Sequence, residues 1–241
     1  MGRDPYRLVA EVTRELAPGA DANRLVPAVA AGTAPIGVLA ELAAQEYRIV
    51  TSDRRSLLVL AARCADSPAG AFFAESAAGE SRALELLGGF GERCGLPRRE
   101  LVEREPLPGC QAYPAYLAWL ALNGDPAGVI VALAANFAAW GGYCATIASG
   151  LRRHYGFDDR ACAFFDHFAT PPAGDGQPPG GQVEGGGAED PVAAALATLD
   201  LAAAGTAGRE YGRLLQAYEL MFWSTLADLP AGGRDGRDSD H

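Results

Sequence analysis

At 241 residues with 49% hydrophobic content, the chain is long enough to bury a substantial core without disulfide staples, which excludes disorder of the whole. Its formal net charge is −10 and every basic residue is an arginine, an acidic balance that argues against a nucleic-acid partner because phosphates are repelled at long range. The cluster Arg98, Arg99 and Arg104 is too small to reverse that field.

The predicted elements are helical throughout, because apolar residues recur at helical spacing and alternating β patterns are nearly absent. Asp4-Pro5 is a cap-and-start signal for a first helix to about Leu16, stopped by Pro18-Gly19. A short helix is expected over Asn23 to Ala31. Thr33 then reads as the cap of a longer segment whose Ile36, Leu39, Ala43 and Tyr47 share one face. Ser52-Asp53 either breaks or dents that segment before Leu57 to Cys64. Ser67-Pro68 starts a helix reaching Gly88-Gly89, and Pro97 to Pro108 is a connection with one helical turn. A helix from Ala112 to Leu122 ends at the turn signal Asn123-Gly124.

Asp125-Pro126 opens a long, almost uncharged helix that closes at Tyr155-Gly156. It is long enough to cross a bilayer of about 30 Å. Its Ala and Gly content, and Asn136, Thr146 and Ser149 within it, fit the central buried helix of a bundle better. A further helix is predicted from Asp158-Asp159 to Phe168. Between Thr170 and Glu189 the chain turns to Pro, Gly, Gln and acidic residues, a composition expected to form a flexible loop. Asp190-Pro191 restarts a helix, and a last one is expected from about Thr206 to Asp228. Residues 1–229 are therefore read as one helical domain interrupted at 170–189, and residues 230–241 as a disordered tail.

The residue types available for chemistry are few. Cys64, Cys94, Cys110, Cys144 and Cys162 show no CxxC spacing, so neither zinc nor a disulfide framework is expected, and reduced thiols in the cytoplasm are. No leader is apparent, since Met1 to Pro5 leads straight into a polar helix. The histidines are His154, His167 and His241; none follows a Glu by three residues, and Glu75 and Glu80 have no histidine near them in the sequence. No metal and no cofactor is expected on that basis. Cys144 sits in the central apolar helix, where a thiol is more often an inert small apolar group than a nucleophile. P-loop, dinucleotide and GxSxG signatures are absent.

The last helix is more informative. In Ala217-Tyr218-Glu219-Leu220-Met221-Phe222-Trp223 a lone acid sits among apolar and aromatic residues. Either Tyr218, Phe222 and Trp223 surround Glu219 and raise its pKa towards that of a usable acid or base, or it points to solvent near Arg209 or Arg213.

The run Tyr218 to Trp223 resembles the closing Glu-Tyr-Met-Phe-Trp motif of the TenA/thiaminase II family. Gln45-Glu46 is similar to that family's early Gln-Asp pair, and the helices from Tyr113 to Phe168 follow its core order. The resemblance spans about residues 34 to 228. It implies an all-α, heme-oxygenase-like multi-helix bundle, normally without haem, around a central buried helix and a pocket. Family enzymes hydrolyse thiamin or the aminopyrimidine from its breakdown, using a cysteine nucleophile, a C-terminal Glu and an Asp on the pyrimidine. Carried over by position, Glu219 matches the catalytic Glu, Glu46 stands in place of the Asp, and Tyr113 matches a pocket tyrosine. Trp140 replaces an aromatic one turn past the nucleophile.

The nucleophile position itself falls on Asn136, and an amide cannot form the covalent intermediate of a thiolate. Cys144 lies eight residues on, about 12 Å along a helix. Ile49 stands where a tyrosine is expected. The implied function is a small-molecule pocket, lined by Glu46, Tyr113, Asn136, Trp140 and Glu219, with Glu-assisted hydrolysis of an aminopyrimidine or another small heteroaromatic. The alternatives are a non-enzymatic ligand-binding or regulatory protein and a heme-oxygenase-like metal oxidase. Relatives tend to assemble, so a homo-oligomer is implied as well.

Overall fold

The computed structural model describes residues 4–19, 21–169, 191–197 and 199–230. Among them are ten helices and no strand. In chain order these are α1 (Pro5–Leu16), α2 (Leu25–Ala30), α3 (Ile36–Arg63), α4 (Pro68–Arg93) and α5 (Arg98–Glu103), then α6 (Pro108–Asn123), α7 (Pro126–Tyr155), α8 (Asp159–Phe168), α9 (Pro191–Leu196) and α10 (Leu201–Ala227). The predicted loop at 170–189 and the predicted tail from 231 lie outside the described residues.

Acidic caps set four of the helix starts, each satisfying backbone N–H groups that a first turn leaves free. Asp4 accepts from Tyr6, Asp125 from Gly128, Asp158 from Ala161, and Asp200 from Ala202 and Ala203. Asn23 does the same for α2, accepting from Leu25 and Val26. Gly156 ends α7 in the left-handed region at φ 65°, the conformation that a glycine adopts without a Cβ clash.

Several boundaries differ from the sequence expectation: α4 runs past Gly88-Gly89 to Arg93, and α6 starts at Pro108 rather than Ala112. Thr33 does not cap α3; its hydroxyl donates to the Ala28 carbonyl at the end of α2, and Pro35 occupies the cap position. Ser52-Asp53 neither breaks nor dents α3, which runs unbroken for 28 residues. The last helix starts at Leu201, five residues before Thr206, because Asp200 caps it.

The long apolar helix α7 is the centre of the bundle, packed against α10, α1, α8 and α2. It is long and apolar enough to cross a membrane, yet 67% of its most apolar stretch is buried inside the protein. The α7–α10 seam is built on glycine. A Cβ on Gly128 would lie 2.6 Å from the Ala207 Cβ, and one on Gly208 would lie 2.6 Å from a Val131 methyl. The two backbones can approach only because those positions carry no side chain. Phe73 and Phe90 of α4, Phe164 and Phe165 of α8, and Trp223 of α10 are fully buried core side chains.

Candidate functional site

Five helices, α3, α4, α6, α7 and α10, lend polar side chains to one internal cavity. Glu46 and Asp53 come from α3, two turns apart on one face, and Glu80 comes from α4 opposite them. Tyr113 (α6), Asn136 (α7) and Glu219 (α10) complete the polar wall. Phe137, Trp140, Phe168 and Phe222 supply the apolar one. The cavity leaves about 50 Å³ for the centres of water-sized bodies, several times the ~10–15 Å³ that a single water needs. All five residues expected from the sequence are thus brought together around one space.

Glu219 is 7% exposed and both of its oxygens accept hydrogen bonds. Trp223 Nε1, one turn along α10, donates to Oε1 at 3.2 Å. Asn136 Nδ2 donates to Oε2, and Asn136 Oδ1 accepts from the Tyr113 hydroxyl at 3.0 Å. The amide therefore has a fixed orientation, with its nitrogen towards the carboxyl and its oxygen towards the phenol. Burial pushes the Glu219 carboxyl up to about 7, and the Trp223 and Asn136 donors oppose that rise by favouring the ionised form. A group titrating there can take or give a proton near neutral pH. The solvent-facing alternative for Glu219 does not hold, and Arg209 is occupied by Glu15 at 2.6 Å.

Trp140 stacks on Trp223 with ring centroids 5.8 Å apart and meets Phe168 edge-on. The indole that donates to Glu219 thus also holds the aromatic wall in place. Tyr218, expected beside Glu219, instead packs on Tyr116 at 5.4 Å. Of the Gln45-Glu46 pair only Glu46 faces the cavity. Gln45 donates to Glu41 and to the Glu105 carbonyl and accepts from the Leu107 N–H, which ties α3 to the connection before α6. Glu46 is 2% exposed, and burial, followed by repulsion from Glu80 and Glu219, pushes its carboxyl well above the ordinary range.

Asp53 and Glu80 are cavity residues that the sequence reading did not select. They are 6% and 8% exposed. Burial, then Glu80 and Glu46, raises Asp53 well above the usual aspartate value, and burial alone raises Glu80 to about 8. A signal for both was present: Ile49, Val50 and Leu57 flank Asp53, and Ala77, Ala83 and Leu84 flank Glu80, at helical spacing.

No thiol lines the cavity. Cys144 is fully buried elsewhere in α7, and burial raises its pKa well above the thiol norm. Among the described residues no three His, Cys, Asp or Glu side chains are placed to hold a metal ion. Nor do the described lining residues fit a haem: among them is no His, Cys or Met, and the Tyr113 hydroxyl is engaged by Asn136. His167 turns to the Gly79 carbonyl at 3.1 Å, and Asp166 pairs with Arg152 at 2.7 Å.

Comparison with solved structures finds a domain of unknown function with a heme oxygenase-like fold from Shewanella denitrificans OS217. That protein superposes with a TM-score of 0.69 at 12% identity, covering 97% of this chain and 96% of its own. A sequence comparison with curated proteins finds no match. The family model described as TENA/THI-4/PQQC matches residues 24–170, which takes in Glu46, Asp53, Glu80, Tyr113, Asn136 and Trp140, while Glu219 reaches the same cavity from α10 beyond the matched segment. With more than half of its length matched and the corresponding all-α, heme-oxygenase-like bundle in place, the chain belongs to the TENA/THI-4/PQQC family.

Proposed function

We propose that this protein takes a small planar heteroaromatic, of the thiamin-related aminopyrimidine type, into the cavity and hydrolyses a C–N bond in it with Glu219 as the proton-transfer group. The observation that carries the reading is the Glu219 carboxyl, oriented by Asn136 and Trp223 and facing an aromatic-walled space. Its ionised form would take a proton from water as the oxygen attacks the carbon bearing the amine. The same carboxyl would return that proton to the departing nitrogen, so that an amine and water become an alcohol and ammonia. Glu46 and Tyr113 would hold the ring, and Trp140 would stack on it. The setting we propose is the cytoplasm, where scattered free cysteines stay reduced.

Asn136 changes the route rather than the site. With an amide where the resemblance places a thiolate, water attacks directly and no covalent intermediate forms. The same substitution favours a second reading, a non-enzymatic protein that binds the ligand without turning it over. Ammonia release from 4-amino-5-aminomethylpyrimidines separates the two. Turnover should be present in the native protein and fall by about 10²-fold or more in Glu219→Gln, the usual scale for losing a general acid–base. Undiminished turnover in that variant would sink the assignment of Glu219. Binding without turnover in the native protein would establish the second reading.

A further inference from the structure

We infer that Asp53 and Glu80 form a separate subsite for an organic cation, an amine, amidine or guanidine group, so that the cavity's ligand carries positive charge beside α3 and α4. This rests on the reading that the cavity is the ligand site, and it concerns a pair that the hydrolytic step leaves unused.

The first ground is the missing partner. Asp53 is 94% buried by residue, it lines the cavity, and its buried Oδ1 has no hydrogen-bond partner among the described residues. Among the described residues Glu80 has no hydrogen bond or ion pair either, and Glu46 has none. A buried carboxyl left without a donor is costly, and native structures satisfy such groups unless something outside the chain does so.

The second ground is the charge of the lining. Among the described residues no Arg or His lines the cavity. The titratable groups facing Asp53 and Glu80 are Glu46 on α3, Tyr113 on α6 and Glu219 on α10, all acidic. On α8, His167 is turned to the Gly79 carbonyl instead. The apolar lining is Ile49, Val50 and the aromatic residues Phe137, Trp140, Phe168 and Phe222, a wall in which a desolvated cation can find aromatic rings. Four carboxyls with aromatic rings and no basic group favour a positively charged organic molecule over an anion or a neutral one. They do not favour a bare metal ion, because no three of them are placed to ligate one.

Benzamidine and benzamide make the test, since they share a shape and differ in charge. Thermal unfolding and calorimetric titration of the full chain should show benzamidine binding at least tenfold more tightly than benzamide at pH 7.5. The double variant Asp53→Asn/Glu80→Gln keeps shape and removes the charge; it should erase that preference and leave benzamide binding unchanged. In the native protein the preference should grow from pH 6 to pH 9, with protons released on benzamidine binding. A second pair, agmatine against its neutral N-acetyl and urea counterpart, covers an aliphatic cation.

Equal affinity within both pairs, or a preference that survives the double variant, would overturn the subsite. So would a response to Mn²⁺ or Ca²⁺ alone that the double variant abolishes, which would make the pair a metal site. Failure of the aminopyrimidine reading looks different: cations would bind through Asp53 and Glu80 while no aminopyrimidine was bound or hydrolysed.

Discussion

At the residue scale, the cavity is defined by acids that the fold holds in their neutral form. Glu219 titrates at about 7 and Glu80 at about 8, while free carboxyls titrate near 4. Between those values the native state keeps a proton that the unfolded chain has lost. The stability these protons contribute is complete below the unfolded pKa and is lost as pH rises through the native one. Each such group therefore lowers stability by about 1.4 kcal/mol per pH unit while it remains protonated. Ligand-free protein should melt at falling temperature from pH 6 to pH 9, and Glu80→Gln should flatten the fall. A melting temperature that stays level or rises over that range would mean these acids are ionised in the fold.

The same residues show what was legible in the sequence. Glu219 stood out as a lone acid among aromatics, and Glu46, Tyr113, Asn136 and Trp140 came from the family resemblance. Asp53 and Glu80 have apolar residues at helical spacing but polar and charged immediate neighbours and no aromatic run around them. Asp53 was masked because Ser52-Asp53 reads as a helix breaker. Inside a long helix packed on both sides, the polar pair is absorbed: the Ser56 hydroxyl bonds the Ser52 carbonyl and Asp53 turns inward. Glu80 has no histidine near it in the sequence, so a search for metal ligands does not select it. Which helix faces which is a long-range fact, and helical periodicity alone does not specify it.

At the scale of elements, helix existence followed from caps and periodicity, and the start of α10 is decided by its cap. Asp200 wins over Thr206 because its carboxylate accepts from two backbone N–H groups at once. The α7–α10 seam is the element contact on which the site depends, since Asn136 and Glu219 meet across it. Gly208→Ala should cost about 1–3 kcal/mol, the usual penalty of overpacking, because Val131 and the α7 backbone leave no room. It should also weaken ligand binding by moving Glu219 away from Asn136. Gly142→Ala is the matched control on α7: nothing lies within 4 Å of its added Cβ, so a gain of about 0.5–1 kcal/mol is expected. Chemical denaturation of the two variants measures both. Equal effects would show that the seam is not sterically tight.

At the scale of the whole molecule, the bundle has a consequence for how binding and unfolding are coupled. The cavity takes its polar side chains from α3, α4, α6, α7 and α10, with Phe168 of α8 in its apolar wall, and no pair of neighbouring helices contains it. A molecule that touches all five recognises only the fully assembled bundle, so its binding energy opposes global opening and leaves local fraying unaffected. At a hundred times its dissociation constant it should add about 2.7 kcal/mol to the opening energy of every core amide. Hydrogen exchange would then slow to the same degree in all five helices, while the ends of α1 and α2 exchange as before. Slowing confined to α10 would mean that the bundle opens in pieces, with α10 able to leave while the others stay folded.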